Sequence, residues 1–139
     1  MSGNTLRLLV VDDQVGVRRL ISEVLMDEGY IVEQAATGRE ALERIKQKNY
    51  QLVLLDVKMP EMDGLETLRE MRKIKPAVPV VLLTAYGESE IMKKAEQMGV
   101  QHFINKPFDL EELRFTVQRV LAGGRSRAEV VKEIGYHRA

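Results

Sequence analysis

Residues 52–66 read LVLLDVKMPEMDGLE, and that stretch decides the fold. Leu52 to Leu55 are apolar without alternation, which suits a short strand covered on both faces, the usual state of a parallel sheet with helices on either side. Asp56 ends the run. After a loop, Asp63 and Glu66 stand at the spacing of an N-cap and its N3 partner, so a helix starts there.

The unit repeats in both directions. Apolar runs at Leu6 to Val11, Ile31 to Ala36, Val78 to Leu83 and Phe103 to Ile104 are separated by segments long enough for a helix. The first such segment puts Val17, Leu20, Ile21, Val24 and Leu25 on one stripe, with Arg18, Arg19, Ser22 and Glu23 elsewhere; the last repeats the pattern with Leu113, Val117, Val120 and Leu121. Thr37 with Glu40 and Asp109 with Glu112 are further cap pairs, and Gly29 and Gly99 follow helical stretches as C-terminal glycines do. The architecture these signals predict is α/β, a doubly wound (βα)5 domain with a five-stranded parallel sheet, over residues 5–122. Gly123-Gly124 closes it. In the remainder, 123–139, Ser126 and Glu129 can cap a short helix carrying Val130, Val131 and Ile134, although a loosely docked tail is the commoner state of a chain end.

With 139 residues the chain fits one domain, and 21 Lys plus Arg against 21 Asp plus Glu leave no global field toward nucleic acid or an anionic membrane. The expectation is therefore no nucleic acid, no membrane and a monomer. The absence of cysteine excludes disulfides and thiolate chemistry. The polar start, Met1 to Thr5, and the lack of an apolar run near about 20 residues lead to the expectation of a cytoplasmic protein.

Four sequence-distant groups follow apolar runs: Asp12-Asp13, Asp56, Thr84 and Lys106. Open α/β sheets bind their ligands at the carboxyl ends of the strands, so these groups should share one pocket. Mg²⁺ is a hard ion that takes one or two carboxylates together with phosphate oxygens. Asp13 and Asp56 are the candidates for direct ligands, with Asp12 acting through water and the backbone carbonyl of Lys58 adding an oxygen; Mn²⁺ is an acceptable substitute. Three close carboxylates repel one another unless cations intervene, and Lys106 and the metal are those cations. Asp56 is then a carboxylate nucleophile for phosphorus, with Thr84 donating to a phosphoryl oxygen. Taken singly each group has a commoner reading, the Asp-Asp pair as a turn and cap above all; taken together in this order they point to phosphoryl transfer.

The segments LVVDDQVGVRRL, LVLLDVKMPEMDGLE, LLTAYGE and INKPFD resemble those of bacterial response-regulator receiver domains, in order and spacing, over Leu6 to Leu121. The resemblance implies a flavodoxin-like receiver fold of strand order 2-1-3-4-5. It further implies Asp56 as acceptor of phosphate from a histidine-phosphorylated protein, Mg²⁺ held by Asp12, Asp13 and Asp56, and Thr84 and Lys106 as the switch and phosphate-contacting pair. It makes Phe103 the switch aromatic and suggests a cis Lys106-Pro107 bond. Within the family the motifs are most similar to stand-alone receivers of sporulation phosphorelays, which implies a sensor histidine kinase and a histidine phosphotransferase as partners, and a role as a phosphotransferase intermediate rather than a small-molecule enzyme.

A partner carrying phosphohistidine must reach Asp56, so the rim should be Gln14, Gly16, Val17 and Leu20 together with Pro107 and Phe108, with Tyr86 a further surface contact. Leu20 lies on the helical stripe, where core packing is the commoner role. Gly16 costs up to about 1 kcal/mol against alanine in a helix start, and close approach of a partner helix would explain it. The methionines read as gap-fillers, and His102 and His137 lack a second ligand at zinc spacing. Two further functions compete. An aspartate-based phosphatase would carry a second acid two residues past the nucleophile, where this chain has Lys58. A phospho-switched module that binds an effector protein is compatible with every motif. Nucleotide hydrolysis lacks its G-x-x-x-x-G-K-[ST] loop.

Overall fold

The computed structural model describes residues 5–85 and 88–123. Strands and helices alternate: β1 (Arg7–Val11), α1 (Val15–Asp27), β2 (Ile31–Ala35), α2 (Gly38–Gln47), β3 (Leu52–Asp56), α3 (Gly64–Ile74), β4 (Val80–Ala85), α4 (Ser89–Gln97), β5 (His102–Lys106) and α5 (Leu110–Leu121). All pairings are parallel and the order is β2-β1-β3-β4-β5, so the chain reverses direction across the sheet between β1 and β3.

Strand period two divides the core into two layers. Leu9, Val11, Val53, Leu55 and Leu82 face α2, α3 and α4, meeting Ala41, Ile45, Leu68, Met71 and Ala95. Leu8, Val10, Leu52, Leu54, Val81 and Leu83 face α1 and α5, meeting Ile21, Val24, Leu25, Leu113 and Val117. β1, β3 and β4 are covered on both sides, which is why their apolar runs do not alternate.

Helix ends account for the crossovers. Asp63 and Glu66 form a reciprocal capping box on α3. Thr37 accepts from the Glu40 amide at 3.0 Å, while the Glu40 carboxylate reaches back one residue further than a box would, to the Ala36 amide at 2.8 Å. Asp109 is the N-cap of α5 as its spacing predicts, but its carboxylate accepts from the second amide of the helix, Glu111, at 2.7 Å, and not from the third, Glu112. Gly29 and Gly99 sit at φ +97° and +89°. Each donates to the third residue before it, and the residue after each closes a six-residue turn onto Leu25 or Ala95, so α1 and α4 end in Schellman motifs.

One expectation about α1 is reversed. Leu20 is 46% exposed, and Ser22 is buried with its hydroxyl donating to the Arg18 carbonyl at 2.8 Å. The helix is rolled toward β2, where Arg18 Nε donates to Gln34 Oε1 at 3.0 Å, and a roll of less than one 100° step exchanges the two margins of the stripe. The tail helix expected after Gly123 lies outside the described residues, as do Tyr86 and His137. Among the described residues no helix is long and apolar enough to cross a membrane.

Candidate functional site

The carboxyl ends of β1, β3, β4 and β5 open onto a cleft of about 260 Å³ lined by Asp13, Gln14, Asp56, Val57, Lys58, Leu83, Ala85, Glu88 and Lys106. Register builds it: Val11 pairs with Leu55, Asp56 with Leu83 and Ala85 with Lys106, so the strand ends are level and the residues just beyond them converge.

Asp12 is fully buried. Its Oδ1 accepts from the Gln14 amide at 2.9 Å and its Oδ2 from Lys106 Nζ at 3.0 Å. Lys106 Nζ also lies 3.1 Å from Asp56 Oδ1, so one ammonium bridges two carboxylates contributed by the ends of β1 and β3. Asp13 is exposed and points its carboxylate into the same space. Asp12, Asp13 and Asp56 each offer an oxygen within 4.8 Å of the others. An all-oxygen donor set of this size and charge fits a hard divalent cation such as Mg²⁺ better than a soft one.

Electrostatics set the protonation of both key groups. Burial, reinforced by the Asp12 charge, pushes the Asp56 carboxyl above its usual range, while Lys106 and the Lys58 backbone amide pull the other way. Burial also works against the Lys106 ammonium, but the hydrogen bonds and charges of Asp12 and Asp56 outweigh it and raise its pKa. Lys106 therefore stays a cation, and it is the local counter-charge that partly offsets burial and the Asp12 charge at Asp56.

Two neighbours of the cleft were assigned no role from sequence. Glu88 is nearly buried; its Oε1 accepts from the Ala85 amide at 2.7 Å and its Oε2 lies 3.7 Å from Lys58 Nζ, so the β3-α3 and β4-α4 loops are tied across the opening. Asn105 accepts a hydrogen bond from Thr84 Oγ1 at 2.9 Å. Thr84 is thus beside the cleft but its hydroxyl is turned along the sheet. Both residues lie inside quoted motifs; only the β4-β5 register and the loop path reveal the contacts.

Of the other expected residues, Phe103 is half-buried against the α2-α3-α4 layer. Gln14, Gly16, Leu20 and Pro107 are exposed, and Val17 and Phe108 are partly buried against the α1-α5 layer. A Cβ built on Gly16 meets nothing within 4 Å, so no contact inside the domain requires glycine there. The Lys106-Pro107 peptide is cis.

A family model of the response regulator receiver domain matches residues 8–118. The chain is 42% identical over 115 residues to sporulation initiation phosphotransferase F of Bacillus subtilis (strain 168), an alignment covering 83% of this chain and 93% of that protein. It is 43% identical over 115 residues to regulatory protein AtoC of Escherichia coli (strain K12), covering 83% of this chain but only 25% of that longer protein. Among solved structures, chemotaxis protein CheY4 of Vibrio cholerae superposes with a TM-score of 0.79 at 34% identity, over 84% of this chain and 99% of that one.

Proposed function

The chain belongs to the response regulator receiver domain family, and from that premise we propose that it accepts a phosphoryl group from phosphohistidine onto Asp56 in the presence of Mg²⁺ and passes it to a histidine phosphotransferase, as in a sporulation-type phosphorelay. The observation that carries the acceptor role is the bridge of Lys106 Nζ to Asp12 at 3.0 Å and Asp56 at 3.1 Å beside the exposed Asp13. In this reading Asp13 and Asp56 hold the metal directly. Asp12, both of whose oxygens are engaged, acts through water, and the Lys58 carbonyl completes the set; Mn²⁺ serves in place of Mg²⁺.

When bound, the metal offsets the negative charge that the incoming phosphoryl adds to three carboxylates. The remaining work falls to the chain. Asp56 attacks phosphorus in line as its carboxylate, the N–P bond to the donor histidine breaks, and the electron pair returns to the imidazole. Lys106 moves its ammonium from the carboxylates toward the phosphoryl oxygens. Positioning and charge compensation supply nearly all the catalysis, so no general acid is needed. Onward transfer is the same displacement in reverse, on a different histidine.

The new group brings a charge of about −1.5 to −2 and three strong acceptors. Thr84 turning toward them frees space on its sheet face, and Phe103, on that face, rotates into it and biases the α4 surface. The docking rim is Gln14, Gly16, Val17, Leu20, Tyr86, Pro107 and Phe108. The exposure of Leu20 and the open space at Gly16 support that rim. The setting is the cytoplasm, the partners are a sensor histidine kinase and a histidine phosphotransferase, and the domain acts as a monomer without nucleic acid or membrane. Similarity to one quarter of AtoC favours a second output, in which the phosphorylated domain controls an attached or separate effector.

Intact mass after incubation with acetyl phosphate tests the acceptor role. Wild type should gain one phosphoryl group only with Mg²⁺, and Asp56→Asn none. Radiolabel leaving Asp56 for a histidine phosphotransferase supports the relay; label that stays while a target lacking an acceptor histidine binds supports the effector output.

A further inference from the structure

Thr84 and Asn105 are register partners on β4 and β5 and lie on the sheet face that also carries Phe103. The Thr84 hydroxyl has one proton to donate, and here that proton goes to Asn105 Oδ1 at 2.9 Å. Thr84 is 1% exposed, so its hydroxyl has little access to solvent as a substitute acceptor, whereas Asn105 is exposed and loses little by letting go. Given the phosphoacceptor reading above, a phosphoryl oxygen on Asp56 needs the same proton. Two acceptors on different sides of one hydroxyl compete for it.

We propose that Asn105 is a positioning residue that holds the Thr84 hydroxyl in the unphosphorylated arrangement, so that its side-chain amide sets how readily phosphorylation switches this domain. The charge-assisted bond to a phosphoryl oxygen is stronger than the neutral bond to an amide, so the exchange runs forward once Asp56 is modified. The bond to Asn105 must be given up each time, and its free energy is subtracted from the drive toward the switched state. Asn105 thereby tunes the bias without touching the phosphoryl group or the metal.

The test is calorimetric titration of beryllofluoride, a phosphoryl mimic, in Mg²⁺ buffer into wild type, Asn105→Ala, Thr84→Ala and the double variant. Removing the competing acceptor should tighten binding about fivefold, the worth of one neutral hydrogen bond. In the Thr84→Ala background the same change should do nothing, because no hydroxyl remains to be held. In the free protein, the Thr84 γ-methyl resonance should move in Asn105→Ala toward its beryllofluoride-bound position. Unchanged affinity, or equal tightening with and without the Thr84 hydroxyl, overturns the proposal while leaving the phosphoacceptor role intact. If wild type binds no beryllofluoride and gains no phosphoryl mass, the phosphoacceptor reading itself fails, and the Asn105 role falls with it.

Discussion

Gly64 opens α3 directly behind the carboxyl end of β3, and a Cβ there would lie 2.4 Å from the Asp56 carbonyl oxygen and 2.7 Å from the Val57 Cα. Both neighbours are backbone, so a side chain can be admitted only by shifting the peptide that carries Asp56. Gly64→Ala should cost about 1–3 kcal/mol, the range for overpacking, and slow phosphorylation by acetyl phosphate as well; a urea midpoint equal to wild type would refute this. Gly16 is the control at the same end of the molecule. With open space around it, Gly16→Ala should gain about 0.5–1 kcal/mol from helix propensity and leave acetyl phosphate reactivity alone, while transfer from a histidine-phosphorylated partner slows. Legibility at this scale followed chemistry. Asp12, Asp13, Asp56 and Lys106 were readable because each follows an apolar run whose fate the strand pattern predicts. Asn105 and Glu88 were not, since their contacts depend on which atoms lie opposite them after folding.

β2 is an edge strand, and at its centre Glu33 meets the α2 side through a cluster of charged and hydroxyl partners. The Glu33 side chain, 15% exposed, takes hydrogen bonds from Arg7, from Lys48 Nζ at 2.9 Å and from Tyr50 Oη at 2.6 Å, with Arg44 3.7 Å away. Burial alone would raise the Glu33 pKa, but the bonds from Lys48, Tyr50 and Arg7 overcome it and lower it from 4.5 to about 2. A depressed carboxyl pKa contributes stability that is complete above about pH 4.5 and fades as pH falls toward 2. Tyr50, raised by burial and by its bond to Glu33 to about 12, has the opposite sign: its share is complete below pH 10 and lost as pH rises through 12. Glu33→Gln should therefore cost about 1–3 kcal/mol at pH 7, and the gap between its urea midpoint and that of wild type should close between pH 4.5 and 2. A gap that persists at pH 2 would assign the loss to shape instead. Element existence was legible because period and caps agree with one another. The roll of α1, which exchanged Leu20 for Ser22, was not, because it depends on the Arg18–Gln34 contact between two elements.

At the scale of the whole molecule, the stability of the domain and the charge of its site are one quantity. The fold draws three carboxylates to within 4.8 Å, and among the described residues Lys106 pairs with two of them, so each folded chain keeps uncompensated negative charge in a partly dry cleft. The unfolded chain does not, because there Asp56 lies far along a solvated backbone from the adjacent Asp12 and Asp13. A cation that binds only the folded state stabilises every element through this cleft, by about 1.4 kcal/mol at ten times its dissociation constant, which for a domain of this size is about 4–6 °C in melting temperature. Mg²⁺ should thus raise the melting temperature of wild type, and chelation with EDTA should return it. Asp13→Asn removes a repelling charge whose only cost falls on the metal, since Asp13 is exposed. It should melt higher than wild type without Mg²⁺ and lose most of the response to it. A variant that melts lower than wild type in EDTA would mean that Asp13 supports the fold itself, and the charge crowding at the strand ends would then have to be neutralised by something other than Lys106.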